Sequence, residues 1–136
     1  MISAVNNRGK LYFKIHRKAI NSDLFIDFCK RLIRVLSERI ILIVDNLAAH
    51  KTNKVMEWLE ENKSRISIEY LPPYRPELNP DEYLNQNVKA GLTGKMRMND
   101  TDDLEQQVTD FMNHRKKDRN QVKRYFHHPK VMYAAA

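Results

Sequence analysis

One cysteine in 136 residues excludes an internal disulfide and a cysteine-built zinc cluster. Cys29 falls instead on the apolar face of a predicted helix, as a core thiol would. No apolar run approaches the roughly 20 residues that a bilayer demands, and the N-terminus lacks the charged-then-apolar order of a secretory signal. A soluble, cytoplasmic chain with no membrane partner is therefore expected. Internal repeats and low-complexity segments are also missing, so solenoids and tails drop out. Acids are the scarcer charge, 17 against 24 Lys and Arg, which leaves a net +7 and a pI near 9.6. That sign favours a polyanionic partner. The length suits a single domain with a real core, and no second domain is expected.

What is present is organised around Ile40 to Asn87. Ile40 to Val44 is a continuous β-branched and apolar run, too short for a helix, which reads as a strand buried on both faces and ending at Asp45. Ligands of open α/β sheets gather outside the carboxyl ends of strands, where an acid can hold a cation without entering the core. A second strand, Ile66 to Leu71, runs into Pro72-Pro73. It is followed by Asn79, Pro80 and Glu82, which read as the cap, first and third positions of a helix. Two carboxylates, one at a strand end and one at a helix start, suit one divalent metal, whose ligands are hard oxygens. Each acid also has a purely structural explanation. Asp45-Asn46 suits a strand-end Asx turn, and Asn79 with Glu82 has the spacing of a capping box.

Together, IILIVDNLAAH and YLPPYRPELNPDEYLN resemble the catalytic core of DDE transposases of the mariner superfamily, in its bacterial insertion-sequence branch. The match falls on Asp45, Asn46, His50, Leu71 to Tyr74, Pro76 to Pro80 and Glu82. The separation of Asp45 from Glu82 is also similar to the family's last Asp-to-Glu interval. The resemblance implies three carboxylates on an RNase H-like fold, holding divalent metals (Mg²⁺ or Mn²⁺) for DNA strand cleavage and transfer. Asp45 is then the second acid and Glu82 the third. Asp81 is less suited, because the family places its acid after the residue that follows Asn-Pro. His50 matches a family histidine and is a candidate for a role near metal or DNA, or a plain polar residue near a helix start. Arg75 stands where the family often has a small polar residue.

The family's first Asp belongs on a strand before the hairpin that begins here at Met1. The acids upstream of Asp45 are Asp23, Asp27 and Glu38, all in or beside the first predicted helix. The expectation is an α/β chain, residues 1–136, forming a single partial catalytic domain. It would be an incomplete RNase H-like fold, a mixed sheet flanked by helices, lacking the first strand and the helix-turn-helix region that precedes the family's catalytic core. A transposase fragment inactive by itself follows; the alternative is a non-catalytic DNA-binding or regulatory product. The partners expected are the DNA of transposon ends and a second copy of the chain, a homo-oligomer in which a dimer covers the unpaired sheet edge.

Elsewhere the periodicities predict a hairpin from Met1 to Val5 and Lys10 to Arg17 around an Asn-Asn-Arg-Gly spacer. His16 reads as a solvent-facing residue of that second strand. A helix capped by Ser22 runs to about Ser37, with Phe25, Phe28, Cys29, Leu32, Val35 and Leu36 inward. A helix from Thr52 or Asn53 to about Asn62 buries Val55, Met56, Leu59 and Trp58. The Glu82 helix continues through Leu84, Val88 and Leu92 and loosens near Gly91 and Gly94. A last helix from Thr101 buries Leu104, Val108, Phe111 and Met112, then turns basic from Arg115 to Arg124. Candidate nucleic-acid contacts are His50, Lys89, Lys95, Arg97, Arg115, Lys116, Lys117 and Arg119.

Overall fold

The structure is a computed structural model that describes residues 1–93 and 101–135. Its strands are β1 (Ile2–Val5), β2 (Leu11–Lys14), β3 (Ile40–Val44) and β4 (Ile66–Tyr70). Its helices are α1 (Ser22–Val35), α2 (Asn53–Glu61), α3 (Pro80–Thr93), α4 (Thr101–Lys117) and α5 (Arg119–Arg124). The α/β class is as expected, with one difference. Among the described residues the strands form two separate pairs, β1 with β2 and β3 with β4. The chain divides into two compact units, one built mainly from residues 3–15 and 80–136, the other from residues 16–79.

In the second unit β3 and β4 run parallel, in the register Ile40↔Ile66 through Val44↔Tyr70. Phe25, Ile26 and Cys29 of α1 and Val55 of α2 form a core with Val44 and Ile66, and Ile40, Leu42 and Ile68 pack against it. Ile41 is 63% exposed, so β3 is not covered on both faces as its composition suggested. Alternate side chains of a strand point to opposite faces, and the helices of this unit share the face of Ile40, Leu42 and Val44. The Asn21 side chain, not that of Ser22, caps α1 by accepting from the Leu24 N–H at 2.9 Å. Val35, the last residue of α1, is exposed, as is Met56, which follows the buried Val55 around the turn of α2. The Arg65 guanidinium donates to the carbonyls of Ile33 and Leu36 at 3.2 and 2.7 Å, satisfying acceptors at the end of α1.

The other unit packs the β1–β2 hairpin with α3, α4 and α5. Its core is Leu11, Leu84, Val88, Leu92, Met112, Val122, Tyr125 and Phe126, with Val5, Phe13, Leu104, Val108 and Phe111 against it. The stripe Leu84, Val88, Leu92 repeats every four residues, which keeps it on one face of α3. The loop from Asn6 to Lys10 is too short for a parallel crossover, so β1 and β2 form the expected hairpin. Gly9 closes it at φ +82, where an added Cβ would collide with the Arg119 backbone carbonyl. β2 ends at Lys14; His16 lies beyond it, half-buried, with Nε2 buried and without a hydrogen-bond partner among the described residues. The basic run is two helices rather than one. Asp118 breaks it and caps α5 through the Gln121 N–H at 3.1 Å. No helix among the described residues is long and apolar enough to cross a membrane.

Candidate active site

Asp45 directly follows β3, and its side chain is 60% exposed. Oδ1 accepts from the Leu47 N–H at 3.3 Å, the Asx-turn contact that a strand-end Asp-Asn favours. The same oxygen lies 3.1 Å from Nδ1 of His50. Both contacts hold one edge of the carboxylate and fix how the other is presented. Next to Asp45, the Asn46 side-chain oxygen is buried with no hydrogen-bond partner among the described residues. A buried amide oxygen without a protein partner is a group that an ion or a water can complete.

His50 ends a short 3₁₀ turn, Ala48–His50, and is only 7% exposed. Its ring lies over Phe25, with centroids 4.4 Å apart, and its backbone carbonyl accepts from the Tyr70 hydroxyl at 2.7 Å. Tyr70 ends β4 opposite Val44, so the two strands fix the turn that carries the imidazole. Burial pulls the His50 pKa below its ordinary value, against the opposing attraction of Asp45. A neutral imidazole donating from Nδ1 suits the carboxylate. Lys51 places its ammonium 5.0 Å from the Tyr70 ring centroid, adding positive charge at the same end of the strands.

Glu82 stands in the first turn of α3, which begins at Pro80 as the sequence predicts. The neighbouring acid is occupied. Both oxygens of Asp81 accept from the Ser3 hydroxyl, at 2.8 and 2.9 Å, tying α3 to β1. Glu82 is half-buried, and its side chain makes no hydrogen bond or ion pair among the described residues. Asp45 belongs to the unit of residues 16–79 and Glu82 to the other. Among the described residues, no three side chains of His, Cys, Asp or Glu gather closely enough to hold a metal.

The predicted cations differ in their surroundings. Lys89, Lys116, Lys117 and Arg119 are exposed. Arg115 is only 18% exposed in its side chain, lies 5.1 Å from the Phe111 ring centroid and reaches Asp118 at 4.0 Å. Lys95 and Arg97 lie outside the described residues. Tyr74, a member of the Leu-Pro-Pro-Tyr motif, also stands out. Tyr74 is 98% exposed and has a φ of +58, a left-handed backbone that bulky side chains rarely adopt.

The family model for DDE superfamily endonuclease matches residues 1–105. An insertion element IS630 uncharacterized 39 kDa protein of Shigella sonnei is 34% identical over 94 residues, covering 68% of this chain. The chain spans only 27% of that protein. Among solved structures, the catalytic domain of Mos1 mariner transposase is 16% identical with a TM-score of 0.57, covering 87% of this chain and 64% of that one. The same catalytic domain with raltegravir and Mg gives a TM-score of 0.61 at 15% identity, covering 95% and 72%. At such identities the likeness speaks for a shared fold. The family match takes in both Asp45 and Glu82 and most of the chain, and the protein belongs to the DDE superfamily of endonucleases.

Proposed function

We propose that this chain is part of a transposase catalytic domain, of a lineage that cuts and joins DNA strands with divalent metal. Asp45 and Glu82 are its second and third metal-binding carboxylates. The observation that carries this reading is Asp45 at the carboxyl end of a parallel strand pair, one carboxylate oxygen held by Leu47 and His50, beside the orphaned oxygen of Asn46. These hard oxygen donors fit Mg²⁺ or Mn²⁺, and the Mos1 catalytic domain has been solved with each. When bound, such cations activate an attacking oxygen and neutralise charge on the leaving one. The chain's own residues orient and attract. His50 holds Asp45 in place, Lys51 adds positive charge near it, and the exposed Lys89, Lys116, Lys117 and Arg119 attract the DNA backbone. Arg115 braces that basic face by lying along Phe111.

The chain supplies two of the family's three acids. Asp23 and Asp27 lie on α1 and Glu38 just after it, so none stands on or at the end of a strand upstream of Asp45. Turnover by the 136-residue chain alone is therefore not expected. In a binding assay on a terminal-repeat duplex, Mg²⁺ should tighten association. Asp45→Ala and Glu82→Ala should each remove the metal-dependent part, with no strand cut. Cleavage that Asp45→Ala abolishes would overturn the claim of incompleteness. Binding that ignores both metal and the two substitutions would overturn the metal site and leave a second reading, a non-catalytic DNA-binding or regulatory product, which the exposed cations of α4 and α5 favour. We also propose that two copies associate along β3, which bonds only to β4 among the described residues. Sedimentation should give a dimer, and a well-folded monomer at micromolar concentration would contradict it.

A further inference from the structure

We propose that Tyr74 is a base-stacking residue that receives an unpaired base of the DNA strand handled beside Asp45; this rests on the function proposed above. β3 and β4 are parallel with Val44 opposite Tyr70, and the Leu71 N–H donates to the Val44 carbonyl at 2.8 Å. The chain therefore leaves β4 next to Asp45, at the strand end where ligands of parallel sheets collect. Tyr74 follows Leu71 by three residues, so its Cα lies within about 11 Å of that point.

Exposure and backbone then single the residue out. An aromatic ring is normally among the most buried surfaces of a protein, yet Tyr74 is 98% exposed. It is also the non-glycine residue with positive φ among those described. Left-handed backbone at a bulky residue costs folding energy, and such strain persists where the surrounding structure enforces it, often at ligand sites. Pro72, Pro73 and Pro76 flank Tyr74 in sequence, and each ring fixes its own φ, which stiffens the chain on both sides of it. The stiff backbone leaves less chain freedom to lose when the ring meets a ligand.

The neighbours indicate which ligand. Arg75, with a side chain 59% exposed and 3.3 Å from Glu77, follows Tyr74 in sequence, and Lys51 lies over Tyr70 at the same strand end. A protein-docking aromatic works inside a ring of contacts that excludes water. An aromatic standing between prolines and a cation instead suits nucleic acid, because every base has a π-face and the cations meet the phosphates.

The test uses DNA carrying 2-aminopurine at an unpaired position, without metal, so that it does not depend on Asp45 or Glu82. Tyr74→Gly and Tyr74→Asn relieve the left-handed strain and should fold at least as well as the parent chain. Tyr74→Trp keeps a ring. The parent and Tyr74→Trp should quench 2-aminopurine fluorescence. Tyr74→Gly and Tyr74→Asn should lose the quenching and bind unpaired-base DNA roughly 10-fold more weakly, with affinity for intact duplex unchanged. Equal binding and quenching by Tyr74→Gly, or no quenching by the parent chain, would overturn the proposal. Tyr74-dependent quenching in a protein that shows no metal-dependent binding would support the stacking role and fail the metal site alone.

Discussion

At the scale of single residues, the side chains around Asp45 divide the work between a turn and a buried ring. The Asx turn holds Oδ1 from the Leu47 side and His50 holds it from the other. The acid itself was legible in the sequence because a strand-end Asp-Asn is a local pattern. Its pairing with His50 was not, since it depends on a 3₁₀ turn fixed by Tyr70 of a different strand. The packing of Arg115 on Phe111, four residues earlier on the same helix face, was available in principle but hidden by reading the cations as one run. Cys29 gives a clean residue-level prediction. It is fully buried, and burial pushes its thiol from 9.0 up to about 12. The folded state keeps this proton where the unfolded chain gives it up, so the contribution to stability is intact below pH 9.0 and is lost as pH rises towards about 12. A thiol reagent at neutral pH should leave the native protein untouched and label it fully in denaturant; rapid native labelling would contradict the burial. Gly9→Ala should destabilise by roughly 1–3 kcal/mol, because it forces a Cβ into left-handed backbone against the Arg119 carbonyl. Chemical denaturation at two probes would measure it, and an unchanged midpoint would count against the packing of the hairpin on α5.

At the scale of elements, the helices and strands were readable from period and punctuation, and the exceptions have local causes. Asn21 rather than Ser22 caps α1, accepting from the Leu24 N–H, while the Ser22 hydroxyl is hydrogen-bonded to that of Thr52 at 2.7 Å. Asp118, the acid amid cations, stops α4 and starts α5. The pairing of β1 with β2 followed from the turn, whereas the one-sided burial of β3 did not, since composition cannot tell which neighbours an apolar strand will have. Each unit has its own core, so core damage should be local first. Ile66→Ala removes a buried side chain shared by β4, α1 and α2 and should cost about 2–5 kcal/mol. Amide exchange should rise first in β3 and β4 and only later around Leu84 and Met112. A uniform rise throughout would mean that the cores do not open separately.

At the scale of the whole molecule, the basic balance, the strand-end acid and the family match point the same way. The net charge of +7 predicts salt-sensitive binding to any duplex, which speaks to affinity and not to chemistry. Chemistry depends on whether Asp45 and Glu82 serve one ion. Titration with Mn²⁺, followed by the broadening of amide NMR signals, tests this directly. The account predicts that the signals of Asn46 and Leu47 and those of Tyr83 and Leu84 broaden together at one Mn²⁺ concentration, and that Asp45→Ala or Glu82→Ala abolishes both effects. Broadening confined to one acid, or surviving the loss of either, would contradict it.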